Sequence, residues 1–419
     1  MTAIRQAYAV WELTLQCNLG CIHCGSRAAA ARPEELSTAE ALDLVRQLAE
    51  AGITEITLIG GEAYLRHDWL VIAKAIRQHG MHCTVTTGGY GISAATAASM
   101  ADAGIEQVSI SIDGTRETHD FLRGKPGSWD ACFRSLANLR QAGIPLTCNS
   151  QINRLSAPDL PLIYADILEA GCRAWQLAIT VPMGRAADRP EILLQPSELL
   201  DLFPVLNELA TWAHRDDLLF YPGNNIGYYG PYERHLRSMQ GDGAIWEGCQ
   251  AGMNTLGIEA NGVIKGCPSL PTAAYTGGNI RETPLREILS APELTFNAHQ
   301  GTPDGAEHLW GFCRGCQYAK LCRGGCSWTA HVFFGQRGNN PYCHHRALVY
   351  QRQGLRERLT LETPASGEPF DHGKFAIAME PVDAPWSAAD PLHFTSEKIR
   401  WSRTSAPSAS NPGMLPILN

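Results

Sequence analysis

Three cysteines in the run CNLGCIHC, Cys17, Cys21 and Cys24, are the first residues in this chain whose type and spacing could do chemistry. Three thiolates are one short of a closed structural zinc site, which takes four ligands. A 4Fe–4S cluster held by three cysteines keeps one iron free for a substrate or cofactor. His23 lies inside the loop and could complete a zinc knuckle, so the loop alone leaves both chemistries open. A second concentration lies downstream: Cys249, Cys267, then Cys313, Cys316, Cys322 and Cys326, and finally Cys343. Cysteines in such groups point to metal binding or catalysis where the compartment is reducing. The other four, Cys83, Cys132, Cys148 and Cys172, stand alone in apolar or strand-like stretches and read as small core hydrophobes.

Polar residues recur where strands should end. Gly60, Gly61 and Glu62 close EITLIG; Ser109, Ser111 and Asp113 lie in SISIDG; Asn149, Ser150 and Gln151 end another strand. Each of these taken singly also reads as a turn or strand cap. Arg185, in PMGRA, carries a guanidinium suited to a cofactor or substrate carboxylate. The segment FYPGNNIGYYGPYE, with its Gly hinges and aromatic rings, reads as a loop over the pocket. Asn224, Asn225, Tyr228 and Tyr229 are its candidates to face substrate, and Asn225, Tyr228 and Tyr229 its candidates for catalysis.

The elements that must hold these residues alternate. AYAVWELTL, EITLIG, HCTVTT, QVSISI, PLTCNSQI and AWQLAIT read as buried parallel strands. Amphipathic helices lie between them. Ser37 and Glu40 form a capping-box pattern, and Ser156 reads as the cap of a helix that stops near Gly171. Six strand–helix repeats fit an α/β fold with a partial or complete parallel barrel and chemistry at the C-terminal strand ends; a doubly wound sheet gives the same alternation. Further on, TLGIEANGVIKGC predicts a β-hairpin turned at Asn261-Gly262. A helix is expected over 345–359, and beyond Thr363 a loosely packed tail rich in Pro, Ser and Ala. The organisation expected is a core over 8–220, a linker or active-site loop over 221–248, a cysteine-rich domain over 249–345, and a helix with a partly irregular tail over 346–419.

A formal charge of −8 argues against a nucleic-acid partner. No apolar run approaches the roughly 18 residues of a membrane span, and the N-terminal run lacks the layout of a secretory signal. The expected location is the cytoplasm.

With these residues in view, the chain resembles the radical S-adenosylmethionine superfamily, over a stretch from Val10 to Arg185 that includes HDFLRG and VPMGRA. The resemblance implies a (β/α)6 TIM-like partial barrel and a 4Fe–4S cluster on Cys17, Cys21 and Cys24, whose free iron chelates S-adenosylmethionine. It implies that Gly60, Gly61 and Glu62 hold the cofactor's amino group, with Ser109, Ser111, Asp113, Asn149, Gln151 and Arg185 as further contacts. The downstream cysteines, with Gly262 in the hairpin, resemble the SPASM domain. That implies two auxiliary 4Fe–4S clusters, an outer one on Cys313, Cys316, Cys322 and Cys343 and an inner one on Cys249, Cys267 and Cys326. Many relatives give the inner cluster an eighth cysteine that has no counterpart here, so its fourth ligand would be water, a side chain such as Asp242 or Glu247, or substrate.

The function expected is a maturase of a ribosomally made peptide or small protein, acting by hydrogen abstraction followed by crosslinking or dehydrogenation. Formylglycine formation on a sulfatase is disfavoured, because Pro268 stands where those maturases place an aspartate base. Oxidation of a tetrapyrrole or an alcohol is the small-molecule alternative. An electron-transfer module is the non-enzymatic one, opposed by the GGE motif. A reductant of flavodoxin or ferredoxin type is implied. The first strand begins too early for an N-terminal leader-docking domain, so a separate protein docks the leader or the barrel and tail bind substrate themselves.

Overall fold

The computed structural model describes residues 8–241, 243–297, 303–387 and 391–401. Period-two alternation gives each barrel strand one apolar and one polar face. Val108 and Ile110, Trp175 and Leu177 join helix residues such as Ile72, Leu136 and Ile163 in one core. Their neighbours Ser109, Thr147 and Gln176 line, with Thr57 and Thr84, an inner cavity of about 430 Å³.

Seven parallel strands form this part: β1 (Tyr8–Glu12), β2 (Glu55–Ile59), β3 (His82–Thr87), β4 (Gln107–Ser111), β5 (Leu146–Ile152), β6 (Ala174–Ile179) and β7 (Leu219–Pro222). The crossovers carry α1 (Thr38–Glu50), α2 (Trp69–Gln78), α3 (Ala94–Asp102), α4 (Arg116–Arg123), α5 (Ser128–Gln141), α6 (Leu160–Glu169) and α7 (Leu199–Arg215). The six expected strands are all present. The seventh was hidden because it is four residues long and opens a segment rich in Gly, Pro and Asn. Ser37 and Glu40 do form a reciprocal capping box on α1. Ser156 does not cap α6: a short 3₁₀ turn, Ala157–Asp159, intervenes, and the Ser156 hydroxyl instead bonds the Gln151 carbonyl at 2.7 Å.

The sheet does not close. Its order runs β10-β9-β8-β1-β2-β3-β4-β5-β6-β7. Strands β8 (Thr255–Ile258), β9 (Val263–Lys265) and β10 (Thr276–Asn279) make an antiparallel meander, and β8 pairs in parallel with β1. The hairpin expected at Asn261-Gly262 is there, with Gly262 at φ +88°. It lies beside the first barrel strand, so Cys267 stands at the edge of the barrel mouth. Cys83, Cys132, Cys148 and Cys172 are buried in the core, as their apolar contexts suggest.

The C-terminal part departs from expectation. The helix His344–Arg352 ends early, at Gly354 with φ +69°. Its expected last turns belong instead to β11 (Leu355–Thr363), which pairs antiparallel with β12 (Lys374–Pro381). The tail is therefore anchored at particular points, though much of it is exposed. Phe394 is fully buried, and its amide and the His393 imidazole both reach Glu198. Residues 402–419 lie outside the described residues. Among the described residues no helix is long and apolar enough to cross a membrane.

Glu198 also pairs with buried Arg154 at 2.9 Å, so one carboxylate ties barrel and tail together. Replacing Glu198 with Ala should cost about 3–5 kcal/mol, because it strands a buried guanidinium. Denaturant unfolding of Glu198→Ala against the parent checks this, and a loss under 1 kcal/mol would contradict it.

Candidate active site

The loop bearing Cys17, Cys21 and Cys24 has little regular structure, so its backbone groups need partners from outside. The end of β2 supplies several. Gly61 and Glu62 donate their amides to Thr14 and Gln16 carbonyls, each at 2.8 Å. A Cβ on Gly61 would stand 2.2 Å from the Gln16 oxygen, so only glycine permits this approach. The amides of Gly20 and Ile22 reach Arg123 and Leu122 carbonyls at the end of α4. Arg185 closes the other side, donating Nε to the Cys21 carbonyl at 2.6 Å and both terminal nitrogens to the Ala28 carbonyl.

The loop faces a cavity of about 320 Å³ at the C-terminal ends of the strands. All three thiols line it, with Gly60, Gly61, Glu62, Ser111, Asp113, Asn149 and Gln151. Glu62 is fully buried, and burial pushes its carboxyl up to about 7 against bonds from Thr87 Oγ1 and the Gly88 amide. Asn149 stands beside Ser111 across the β4–β5 pairing, and its Oδ1 is buried without a hydrogen-bond partner. That orphaned acceptor, facing a cavity, fits a ligand carrying N–H or O–H groups.

Asp113 is a charge node. Its carboxylate meets Arg123 at 2.6 Å and His23 Nε2 at 2.9 Å, and accepts the Gln151 amide at 2.8 Å. Burial alone would raise its pKa, but the Arg123 guanidinium and then His23 outweigh it and hold the carboxyl below the ordinary range. His23 Nε2 is thus committed away from the cysteines. Burial pushes Cys17 up to about 12, so the thiol stays protonated until a cation draws the proton off.

The downstream thiols fall into two sets. Cys326 feels Cys249 and Cys267, and Cys267 feels Cys249. Separately, Cys322 feels Cys343, Cys313 and Cys316. Pro268 and Ser269, directly after Cys267, line the cavity, so the first set borders it. Glu247 is exposed, and Asp242 lies outside the described residues.

Several expected residues sit elsewhere. Ser109 points inward but lies one pleat period below Ser111, in the separate cavity nearer the N-terminal strand ends. Arg185 lines the cavity, yet its guanidinium is spent on loop carbonyls rather than offered to a carboxylate. Tyr228 is fully buried, accepting the Cys326 amide at 3.1 Å and packing on Trp246. Tyr229 stacks on Tyr318 at 4.3 Å, and Asn225 bonds both backbone groups of Ile179. Asn224 is exposed. None of the four lines the cavity: the segment seats the cysteine-rich part on the barrel instead of closing the mouth.

The Radical SAM superfamily model matches residues 11–152, and the model of the SPASM iron–sulfur cluster-binding domain matches residues 249–317. The chain carries a radical SAM domain followed by a SPASM domain. It is a radical SAM enzyme with a SPASM domain, a class that binds S-adenosylmethionine and iron–sulfur clusters. An AdoMet-dependent heme synthase of Methanosarcina barkeri is 29% identical over 80% of this chain and 95% of its own length. A PqqA peptide cyclase of Rhizobium meliloti is 27% identical over 85% of this chain and 90% of its own. The structure of Streptococcus suis SuiB bound to S-adenosylmethionine shares the fold, with a TM-score of 0.60, at 17% identity over 81% of this chain and 76% of that one.

The cavity at the strand ends also holds groups not evident from the sequence pattern: Arg123, Trp328, whose indole N–H meets Met183 Sδ at 3.0 Å, Phe370, and above all Glu12. A charge in the middle of the apolar strand AVWELTL was the available signal for Glu12. Burial pushes its carboxyl up to about 8; Arg32 opposes this from 3.5 Å, while Glu259 adds to it and Lys265 subtracts. Folding therefore takes up a proton at Glu12, and stability should fall as pH rises from the unfolded carboxyl range toward 8. Glu12→Gln removes that decline. Its stability relative to the parent should climb between pH 5 and 8, by up to about 1.4 kcal/mol per pH unit. Parallel denaturant curves across this range check the slope; a constant offset would contradict it.

Proposed function

We propose that this radical SAM enzyme cleaves S-adenosylmethionine reductively in the cavity, removes a hydrogen atom from a substrate side chain and completes a two-electron oxidation, a crosslink or a dehydrogenation, on a ribosomally made peptide. The observation that carries the reading is the shared cavity. The three thiols of the N-terminal loop line it, and the residues following Cys267 form part of its wall. When bound, the N-terminal cluster and S-adenosylmethionine supply the one-electron chemistry that yields a 5′-deoxyadenosyl radical, and auxiliary clusters offer a place for the electron the substrate gives up.

In this reading Cys17, Cys21 and Cys24 hold the first cluster, and Glu62, Ser111, Asn149 and Gln151 orient the cofactor. Asp113 and Arg185 act on the loop, fixing His23 and the carbonyls rather than touching the cofactor. Cys313, Cys316, Cys322 and Cys343 hold the outer auxiliary cluster, and Cys249, Cys267 and Cys326 the inner one, where three thiols leave the fourth position to another ligand. Glu12 lies on the cavity wall and, with its carboxyl pushed up to about 8, is protonated at neutral pH and offers a hydrogen-bond donor there; Pro268 offers no ionisable group. A reductant of flavodoxin or ferredoxin type feeds the electron, and a separate leader-binding protein is a candidate partner for docking the peptide. The cytoplasm suits this chemistry.

Oxidation of a tetrapyrrole is the second reading, favoured by the identity to the heme synthase. Both readings share the cluster assignments, which analysis of the anaerobically reconstituted protein tests. About 12 iron atoms per chain are expected. Changing Cys17, Cys21 and Cys24 together to Ala should remove about four of them and end 5′-deoxyadenosine release. Undiminished release from that variant, or zinc in place of iron, would overturn the assignment.

A further inference from the structure

The loop between β11 and β12 is exposed over residues 366–369 and turns inward at Phe370. Its residue Phe370 lines the cavity beside Pro268, Ser269 and Trp328. Phe370 sits at φ +60°, a conformation uncommon for any residue but glycine and costly for a bulky one. The neighbouring contacts over-determine it. Asp371 pairs with Arg27 at 2.7 Å, accepts the Gly367 amide at 2.6 Å, and receives the Gly184 amide on its own carbonyl at 2.8 Å. His372 bridges to Met183 on the next strand end. A ring is thus held at a cavity wall in a backbone conformation that glycine would adopt without strain.

The ring also covers charge. Lys265 Nζ lies 4.2 Å and the Arg32 guanidinium 5.6 Å from its centroid, and both cations are paired with Glu259, at 2.8 and 3.0 Å. An anionic substrate entering from this side meets an aromatic face, with the cations behind it already committed. At about 320 Å³ the cavity stands at the low end of the range for ligand pockets, and the cofactor must share it.

We propose that Phe370 is a specificity-determining residue: its ring, locked in place through Asp371 and Arg27, limits the substrate side of the cavity to a group the size of one amino-acid side chain and screens Arg32 and Lys265 from substrate carboxylates. The inference rests on the cavity being where the cofactor and substrate meet, and it favours a peptide side chain over a tetrapyrrole carrying several carboxylates.

Coproporphyrin III, a rigid tetracarboxylate, is the probe, titrated by its absorbance into the anaerobically reconstituted full chain. S-adenosylhomocysteine affinity, measured alongside, reports the cofactor side. The parent should show no saturable porphyrin binding. Phe370→Gly, which suits the φ of this position, should gain it with at least a tenfold increase in affinity, while S-adenosylhomocysteine affinity stays within about threefold. Asp371→Asn, which keeps the ring but loosens its anchor, should move the same way by less, and serves if the glycine variant folds poorly. Equal porphyrin affinity in parent and both variants would overturn the role of Phe370 and leave the peptide reading standing. Tight binding to the parent that Phe370→Gly weakens would overturn both, making the ring a platform for the macrocycle. Tight binding to the parent that Phe370→Gly strengthens would keep Phe370 as the selector and overturn the peptide reading alone. Loss of S-adenosylhomocysteine binding in the parent would remove the shared-cavity premise itself.

Discussion

Everything near the mouth of this barrel depends on satisfying the backbone of one irregular loop. A loop that presents three thiols to a cavity cannot fold into a helix or strand, yet its amides and carbonyls lie where water is scarce. The structure resolves this with fixed donors and acceptors from three directions: the glycine-rich end of β2, the end of α4, and the Arg185 guanidinium. Polar groups buried without partners cost more than a hydrogen bond gains, so these partners set where the thiols point. The short distance from a hypothetical Gly61 Cβ to the Gln16 carbonyl shows how little room the arrangement leaves.

Electrostatics works on the same loop from below. Asp113 carries one buried negative charge shared between His23, which belongs to the loop, and Arg123, which approaches Cys21 Sγ at 3.7 Å. The node is almost fully desolvated, so its geometry matters more than its net contribution to stability. Glu62 and Asp113 are both buried carboxyls on one cavity, and Arg123 acts on both, yet only Asp113 pairs directly with it and with His23. One is pushed up and the other held down, and that difference follows from neighbours, not from burial.

Much of this was legible in the residues, for identifiable reasons. Cysteine spacing is a local property, so the N-terminal triplet and the downstream group stood out before any geometry was known, whereas the division of the downstream thiols into two sets came from the resemblance to the SPASM domain. Polarity at the expected strand ends marked Ser111, Asn149 and Gln151 as candidates, and the Asn-Gly turn predicted the hairpin. The misreadings share a different cause. Arg185, Tyr228, Tyr229 and Asn225 are residue types that serve chemistry and packing equally well, and only tertiary neighbours decide between the two. Tyr228 became core because Trp246 and the Cys326 backbone surround it. The β11–β12 hairpin went unseen because its alternation is weak and its outer face exposed, and with it went Phe370. Ser109 was missed by a single pleat.

The parallel pairing of β8 with β1 has a consequence for how the two ends of the chain communicate. The thiol loop follows one of these strands and Cys267 follows the hairpin built on the other, so the separation between them is ruled by a hydrogen-bond ladder that runs Tyr8 to Thr255 through Trp11 to Ile258. A ladder advances only in whole residues, and a slip by one would turn every inward side chain outward. The spacing of the two centres is therefore quantised: thermal motion can blur it, but no gradual sliding of one domain on the other can retune it. Any drift in that distance would first have to break the sheet.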